Sequence, residues 1–237
     1  MPNQYFNFKQ FSINQDKCAM KVGTDGVLIG AWANINNAKT ALDIGSGTGL
    51  IAIMLAQRGL NLIDAVEIDV NAYKQAAENI QACKWNNKIT LYNSSFQNYI
   101  KNCTQKFDLI VSNPPFFIDS LEPPEKERAI ARHNSTLTFN DLTNGVKLLL
   151  ADNGIFSVIL PYVEGCIFIA EAAKFDLYCN RKTEVKPSPS KKTKRLLLEF
   201  TTKKLPLIEN TLIIDSGDRH DYTIDYKELT SGFYLAF

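Results

Sequence analysis

The sequence predicts an α/β protein built on a doubly wound, seven-stranded, mostly parallel sheet with an antiparallel hairpin at one edge. Three observations carry this. From Lys39 onward, short apolar runs alternate with helical patterns, the order that lays strands in parallel with helices on both faces. A glycine-rich turn joins the first such run to its helix. Near the end, two strand-like runs follow one another with no helix between them, as antiparallel neighbours do.

The elements follow in order. YFNFKQFSI (5–13) is aromatic and partly alternating, and predicts an N-terminal strand or hairpin. GVLIGAWANI (26–35) predicts a helix with Thr24 as its N-cap. TALDI, LIDAVEI, KITLY and FDLIV are strands; GLIAIMLAQRG and NAYKQAAENIQACK are helices. Asp69 is placed to cap the second of these helices. Thr138 opens the helix FNDLTNGVKLLL, with Asp141 three residues on in a capping-box arrangement. Asn153-Gly154 turn into the strand IFSVIL, a helix spans 163–174, and the strands YCNRKTEV and RLLLEFT flank the lysine-rich loop PSPSKKTK. The stretch from 205 to 237 has no clear place. The whole chain, 1–237, reads as one domain, with 1–37 as a strand-and-helix extension packed on it.

Composition narrows the class. With 45% hydrophobic and 22% charged residues, the chain is that of an ordinary globular protein. No apolar stretch approaches the ~20 residues of a membrane span, and MPNQYFNFKQ lacks the apolar core of a secretory signal. Cys18, Cys83, Cys103, Cys166 and Cys179 are odd in number and form no C-x-x-C pair, which points to reduced thiols in a cytoplasm rather than disulfides or zinc. With His133 and His220 as the only histidines, no metal is expected. The net charge of +1 hides an asymmetry: nine Lys or Arg against two Glu lie between 181 and 204, so the remainder is net acidic. Such a patch fits an anionic partner such as nucleic acid; a solvated hairpin with protective lysines is the plain alternative.

Leu42-Asp43-Ile44-Gly45-Ser46-Gly47-Thr48-Gly49 carries the first chemistry. Glycines let a backbone turn tightly against a ligand, and the next helix offers free N–H groups. The spacing is G-x-G-x-G, and Leu50 occupies the last glycine position of the dinucleotide fingerprint. Glu67 ends the following strand 22 residues beyond Gly45, near the distance at which a carboxylate meets ribose hydroxyls. An adenosine-containing cofactor is expected; NAD and S-adenosylmethionine both satisfy these residues.

Ser112-Asn113-Pro114-Pro115-Phe116 decides between them. The stretch leaves the fourth strand, at the same sheet edge as the glycine turn. Prolines remove donors and stiffen the corner, so the Asn113 amide oxygen and the Pro114 carbonyl become fixed acceptors for a planar NH₂ group. Such an amine is a poor nucleophile. Acceptors for both its protons would help it as positive charge develops, while Phe116 stacks on the flat group. This pairing of turns resembles class I S-adenosylmethionine-dependent methyltransferases that act on exocyclic amino groups. The resemblance implies a Rossmann-like fold, a catalytic corner at Asn113, Pro114, Pro115 and Phe116, and a cofactor site at Asp43, Gly45, Gly47, Gly49 and Glu67. Where many relatives carry an acidic residue after the third strand, this chain has Tyr92-Asn93-Ser94-Ser95-Phe96, so Ser95 and Phe96 are expected at the adenine.

Met20-Lys21-Val22-Gly23-Thr24-Asp25-Gly26-Val27-Leu28-Ile29-Gly30-Ala31-Trp32-Ala33, Arg132-His133, the basic Lys194–Phe200 strand and Phe233-Tyr234-Leu235 resemble the tRNA1(Val) (adenine(37)-N6)-methyltransferase family. The resemblance implies methylation of an adenine amine in tRNA, with Thr24 and Asp25 returning toward the methionine end of the cofactor. Guanine N2 in ribosomal RNA and a protein glutamine amide share the same NH₂ logic, and a non-catalytic RNA-binding protein is the alternative from another class. Lys126, Arg128, Arg132 and His133 after the corner, and Lys191, Lys192, Lys194 and Arg195 in the basic segment, are the expected RNA contacts. No membrane partner is expected, and the protein is expected to act as a monomer.

Overall fold

A computed structural model describes residues 3–18, 20–114, 137–217 and 221–237 of the chain. The chain begins with an antiparallel pair, β1 (Tyr5–Asn7) and β2 (Ser12–Asn14), then α1 (Thr24–Trp32), β3 (Thr40–Ile44), α2 (Leu50–Gln57), β4 (Leu62–Glu67), α3 (Val70–Ala82) and β5 (Ile89–Asn93). It continues through α4 (Phe96–Asn102), β6 (Phe107–Ser112), α5 (Phe139–Leu149), β7 (Leu150–Pro161) and α6 (Tyr162–Ala173). β8 (Tyr178–Lys186), β9 (Arg195–Thr201), β10 (Ile208–Ile213) and α7 (Ile224–Thr230) complete it.

The main sheet runs β10-β8-β9-β7-β6-β3-β4-β5. Only β9 is antiparallel to its neighbours, β7 and β8. The sheet therefore has one strand more than the seven expected: β10 lies parallel to β8 and outside it. Its sequence, IENTLI, buries Leu212 alone, because an outermost strand needs few apolar residues. The helix α4 was also not anticipated. It is a single short element capped by Ser95, whose hydroxyl oxygen accepts the Asn98 N–H.

The capping expectations fare unevenly. Thr138 and Asp141 form a full capping box, and Asp69 Oδ1 accepts from Asn71 and Ala72 N–H at 2.9 and 2.8 Å. Thr24, in contrast, is the first helical residue of α1; the N-cap is Gly23, with no side-chain cap. α1 is buried from Gly26 to Trp32 because it lies directly on α2. A Cβ on Gly26 would come within 3.1 Å of Leu50, and one on Gly30 within 2.7 Å of Met54. Two glycines four apart thus make a groove for two large side chains four apart.

Residues near the two ends of the chain meet. Lys9 N–H donates to the Phe233 carbonyl at 2.8 Å, and Phe8, Tyr234, Tyr226 and Phe237 form a run of ring contacts there. All five cysteines are free thiols.

Candidate active site

β3 stands at the centre of the sheet with β4 on one side and β6 on the other, all parallel. Strand order reverses here: the chain moves outward from β3 to β5, then returns to β6 and moves the other way. Such a point opens a crevice beyond the strand ends. Ile44 and Ser112 are register partners, and Ser112 Oγ donates to the Ile44 carbonyl at 2.9 Å. Gly45 and Asn113 therefore leave the sheet side by side.

The glycine turn is held from below. Gly45 and Ser46 N–H both donate to the Val66 carbonyl, at 2.9 and 3.1 Å. Gly45, Gly47 and Gly49 have φ of 74, 55 and 81°, the left-handed region that glycine enters without steric cost. Gly47 N–H donates to Glu67 Oε2, and Asp69 N–H to Glu67 Oε1, each at 2.8 Å. Each carboxylate oxygen keeps a further lone pair for an incoming donor. A Cβ on Gly45 or Gly47 would meet nothing within 4 Å, so no described residue covers the face above the turn.

Asp43 lies under the turn, fully buried. Its Oδ2 accepts Ala52 N–H at 3.1 Å, while Asp43 Oδ1 and Ser46 Oγ have no partner among the described residues. Burial pushes the Asp43 carboxyl up to about 7; the Ala52 bond opposes this and the Glu67 charge adds to it. Buried polar atoms in native proteins are normally paired, so these two are open to partners from outside the chain.

In the second turn, Asn113 is half-buried and Pro114 buried. Pro115, Phe116, Lys126, Arg128, Arg132 and His133 lie outside the described residues. β8 runs in the direction of β7, since both oppose β9. The loop 187–194 therefore sits at the same carboxyl edge as the two turns. Lys191, Lys192 and Lys194 are exposed there. Arg195 is half-buried and its Nε meets Asp25 Oδ2 at 2.7 Å, so a residue expected at the RNA and one expected at the cofactor are partners of each other.

At the residues expected to meet the adenine, Ser95 Oγ accepts the Asn98 N–H at 3.2 Å, and Phe96 is buried against Gly145 of α5. Both residues thus hold α4 in place, and the Phe96 ring faces the core. A cleft of about 380 Å³ between α6, β8 and the segment after β9, lined by Lys182, Lys204 and Leu207 among others, is distant from both turns and has no part in the site. Asn79 and Gln75 escaped the sequence reading. They are buried amides one turn apart on α3, and the only signal for them was two polar residues at positions 75 and 79 on the same face as Ala72, Ala76 and Ile80.

Comparison with known proteins agrees with this geometry. The profile of the methyltransferase small domain family matches residues 23–153. A tRNA1(Val) (adenine(37)-N6)-methyltransferase of Trichodesmium erythraeum is 48% identical over 240 residues, covering 100% of both chains. One of Flavobacterium psychrophilum is 47% identical over 97% of this chain and 99% of its own. Among solved structures, a predicted O-methyltransferase of Agrobacterium tumefaciens superposes with a TM-score of 0.69 at 15% identity, covering 88% of this chain and 96% of that one. A ribosomal protein L11 methylase of Lactobacillus delbrueckii subsp. bulgaricus gives 0.58 at 18% identity, over 81% and 84%. These two structural likenesses speak for the fold alone. With full-length relatives at this identity and both turns side by side on one sheet edge, the chain belongs to the tRNA1(Val) (adenine(37)-N6)-methyltransferase family.

Proposed function

We propose that the protein transfers a methyl group from S-adenosylmethionine to the exocyclic N6 amine of adenine 37 in tRNA-Val. The observation that carries the reading is the register of Ile44 with Ser112, which sets the cofactor turn and the Asn113-Pro114 corner on adjacent strand ends. The cofactor supplies an electrophilic methyl carbon on a sulfonium. Gly45 and Gly47 give the cofactor an unobstructed bed, and Gly49, packed on Ala76 and Ile80, leads the turn into α2. Glu67 receives the ribose hydroxyls on its spare lone pairs, and Asp43 and Ser46 supply polar atoms that lack partners among the described residues. Thr24 and Asp25 stand in the first turn of α1 toward the methionine end, and Ser95 and Phe96 support the adenine end from behind.

Asn113 and the Pro114 carbonyl take the two amine protons as acceptors. Their hold strengthens as the nitrogen becomes positive, so no strong base is required and the proton leaves afterwards to water. Pro115 stiffens the corner and Phe116 stacks on the base, which an anticodon loop can splay out. Lys191, Lys192 and Lys194 face the RNA backbone, together with Lys126, Arg128, Arg132 and His133 from the segment after the corner. Arg195 borders this surface while held by Asp25. The protein acts as a monomer in this scheme. Free thiols support a reducing cytoplasm.

The test is methylation of total tRNA lacking the modification, followed by nucleoside mass spectrometry and site mapping. N6-methyladenosine at position 37 of tRNA-Val is expected. Product at guanine N2, or on a protein glutamine, would replace the substrate; no product with any acceptor would leave a binding protein.

A further inference from the structure

Asn79 lies in α3 at 1% exposure, and its side-chain amide joins two segments remote in sequence. Its Oδ1 accepts Asn14 N–H at 2.9 Å. Its Nδ2 donates to the Asn14 carbonyl and to the Thr48 carbonyl, both at 2.9 Å. Pairing both backbone groups of Asn14 is what a neighbouring strand would do. The second amide proton reaches into the glycine turn, between Gly47, which Glu67 holds, and Gly49, which packs on Ala76 and Ile80.

One helical turn earlier, Gln75 at 0% exposure accepts Lys17 N–H at 3.0 Å. The segment carrying Asn14 and Lys17 passes close to Glu67 and Asp69: burial first, then those two charges and that of Asp16, raise the Cys18 thiol to about 11. Gln15 Oε1 accepts Val22 N–H at 2.8 Å, and the chain then enters α1 with Asp25. Residues 14–18 thus form a strap along the proposed ribose site, and α3 pins both strap and turn.

We infer that Asn79 is a positioning residue for cofactor binding, locking the glycine turn and the 14–18 strap into one unit. The inference rests on the reading of the turn as the cofactor site. The position calls for an acceptor and two donors on one short, flat group, which an asparagine amide supplies. An aspartate has no donors when ionised and would face two carbonyl oxygens; an apolar residue would leave three backbone groups without this partner, the buried Thr48 carbonyl among them.

The experiment is calorimetry with S-adenosylmethionine on the parent and Asn79→Asp, together with steady-state kinetics on tRNA. The variant should bind the cofactor at least about tenfold more weakly, with kcat at saturating cofactor and KM for tRNA each within about threefold of the parent. A folded variant with unchanged cofactor Kd, or one that loses kcat instead, overturns the inference. A purely structural role would lower Tm and leave that split unmade. Hydrogen exchange on the parent alone covers the case of a variant that does not fold. Saturation with S-adenosylhomocysteine should slow exchange of the Asn14 amide by about tenfold or more, and unchanged protection overturns the inference. A parent that binds no cofactor overturns both this and the cofactor reading, whereas a binding parent with an indifferent variant sinks this inference alone.

Discussion

The glycine turn and the lysine hairpin share one edge of the sheet and are built in opposite ways. At the turn, the polar atoms that fix the backbone are themselves fixed: Gly45 and Ser46 by Val66, Gly47 by Glu67 and Thr48 by Asn79. In the hairpin loop, Lys191, Lys192 and Lys194 stand exposed. The contrast separates two kinds of recognition. A reaction at one carbon atom needs fixed geometry, whereas a phosphate backbone needs charge at roughly the right place. Damage to the turn should persist at any ionic strength; damage to the hairpin should matter little once binding is saturated.

The largest expected effect belongs to the corner beside the turn. Asn113→Ala should lower kcat by roughly 10²–10³, as loss of one preorganised polar group does, with cofactor affinity intact; turnover at the parent's rate would remove Asn113 from the chemistry. Next comes Asp43. Its carboxyl titrates at about 7 in the native protein against an ordinary 3.8. Between those values the unfolded chain has released a proton that the folded chain keeps, so stability falls as pH rises from about 4 to about 7. Asp43→Asn should therefore be more stable than the parent at pH 8, by a few kcal/mol at most, and equal to it below pH 4. Denaturant melts at the two pH values check this, and a gap that stays the same at both would show that burial does not perturb Asp43.

Gly47→Ala is gentler on the fold. An alanine at φ 55° costs about 1–2 kcal/mol, and its Cβ meets no atom of the described residues within 4 Å. Its methyl group does enter the space proposed for the cofactor, so Kd for S-adenosylmethionine should rise by about tenfold or more, with a Tm drop of only a few degrees; calorimetry reads the first and a thermal melt the second. Smallest at saturation are Lys191→Ala and Lys192→Ala. Each should lessen the slope of log K against log salt by about 0.9 or less and leave kcat unchanged. A salt series of tRNA binding measures it, and slopes equal to the parent's would take these lysines out of the RNA interface.

The same contrast explains what could be read in advance. The glycine turn, Glu67 and the Asn113 corner are local patterns in which spacing alone carries the geometry. The Thr138 capping box was legible for the same reason. Asn79 was not, because its partners at 14 and 48 are distant and an asparagine in a helix is read as surface. Nor was the Asp25–Arg195 pair, whose members are 170 residues apart. β10 escaped because an outer strand with one buried side chain has no hydrophobic alternation to detect. Thr24 was misplaced by one residue because Gly23 caps the helix with its backbone alone.

The meeting of Lys9 with Phe233 has a consequence for biosynthesis. A nascent chain cannot seat its first hairpin until residues beyond 230 have cleared the ribosome, and that hairpin leads into the strap beside Glu67. Loss of the aromatic rings at Tyr234 and Phe237, which pack on this hairpin's Phe8 and on Tyr226, would thus loosen the proposed methyl-donor site from a distance.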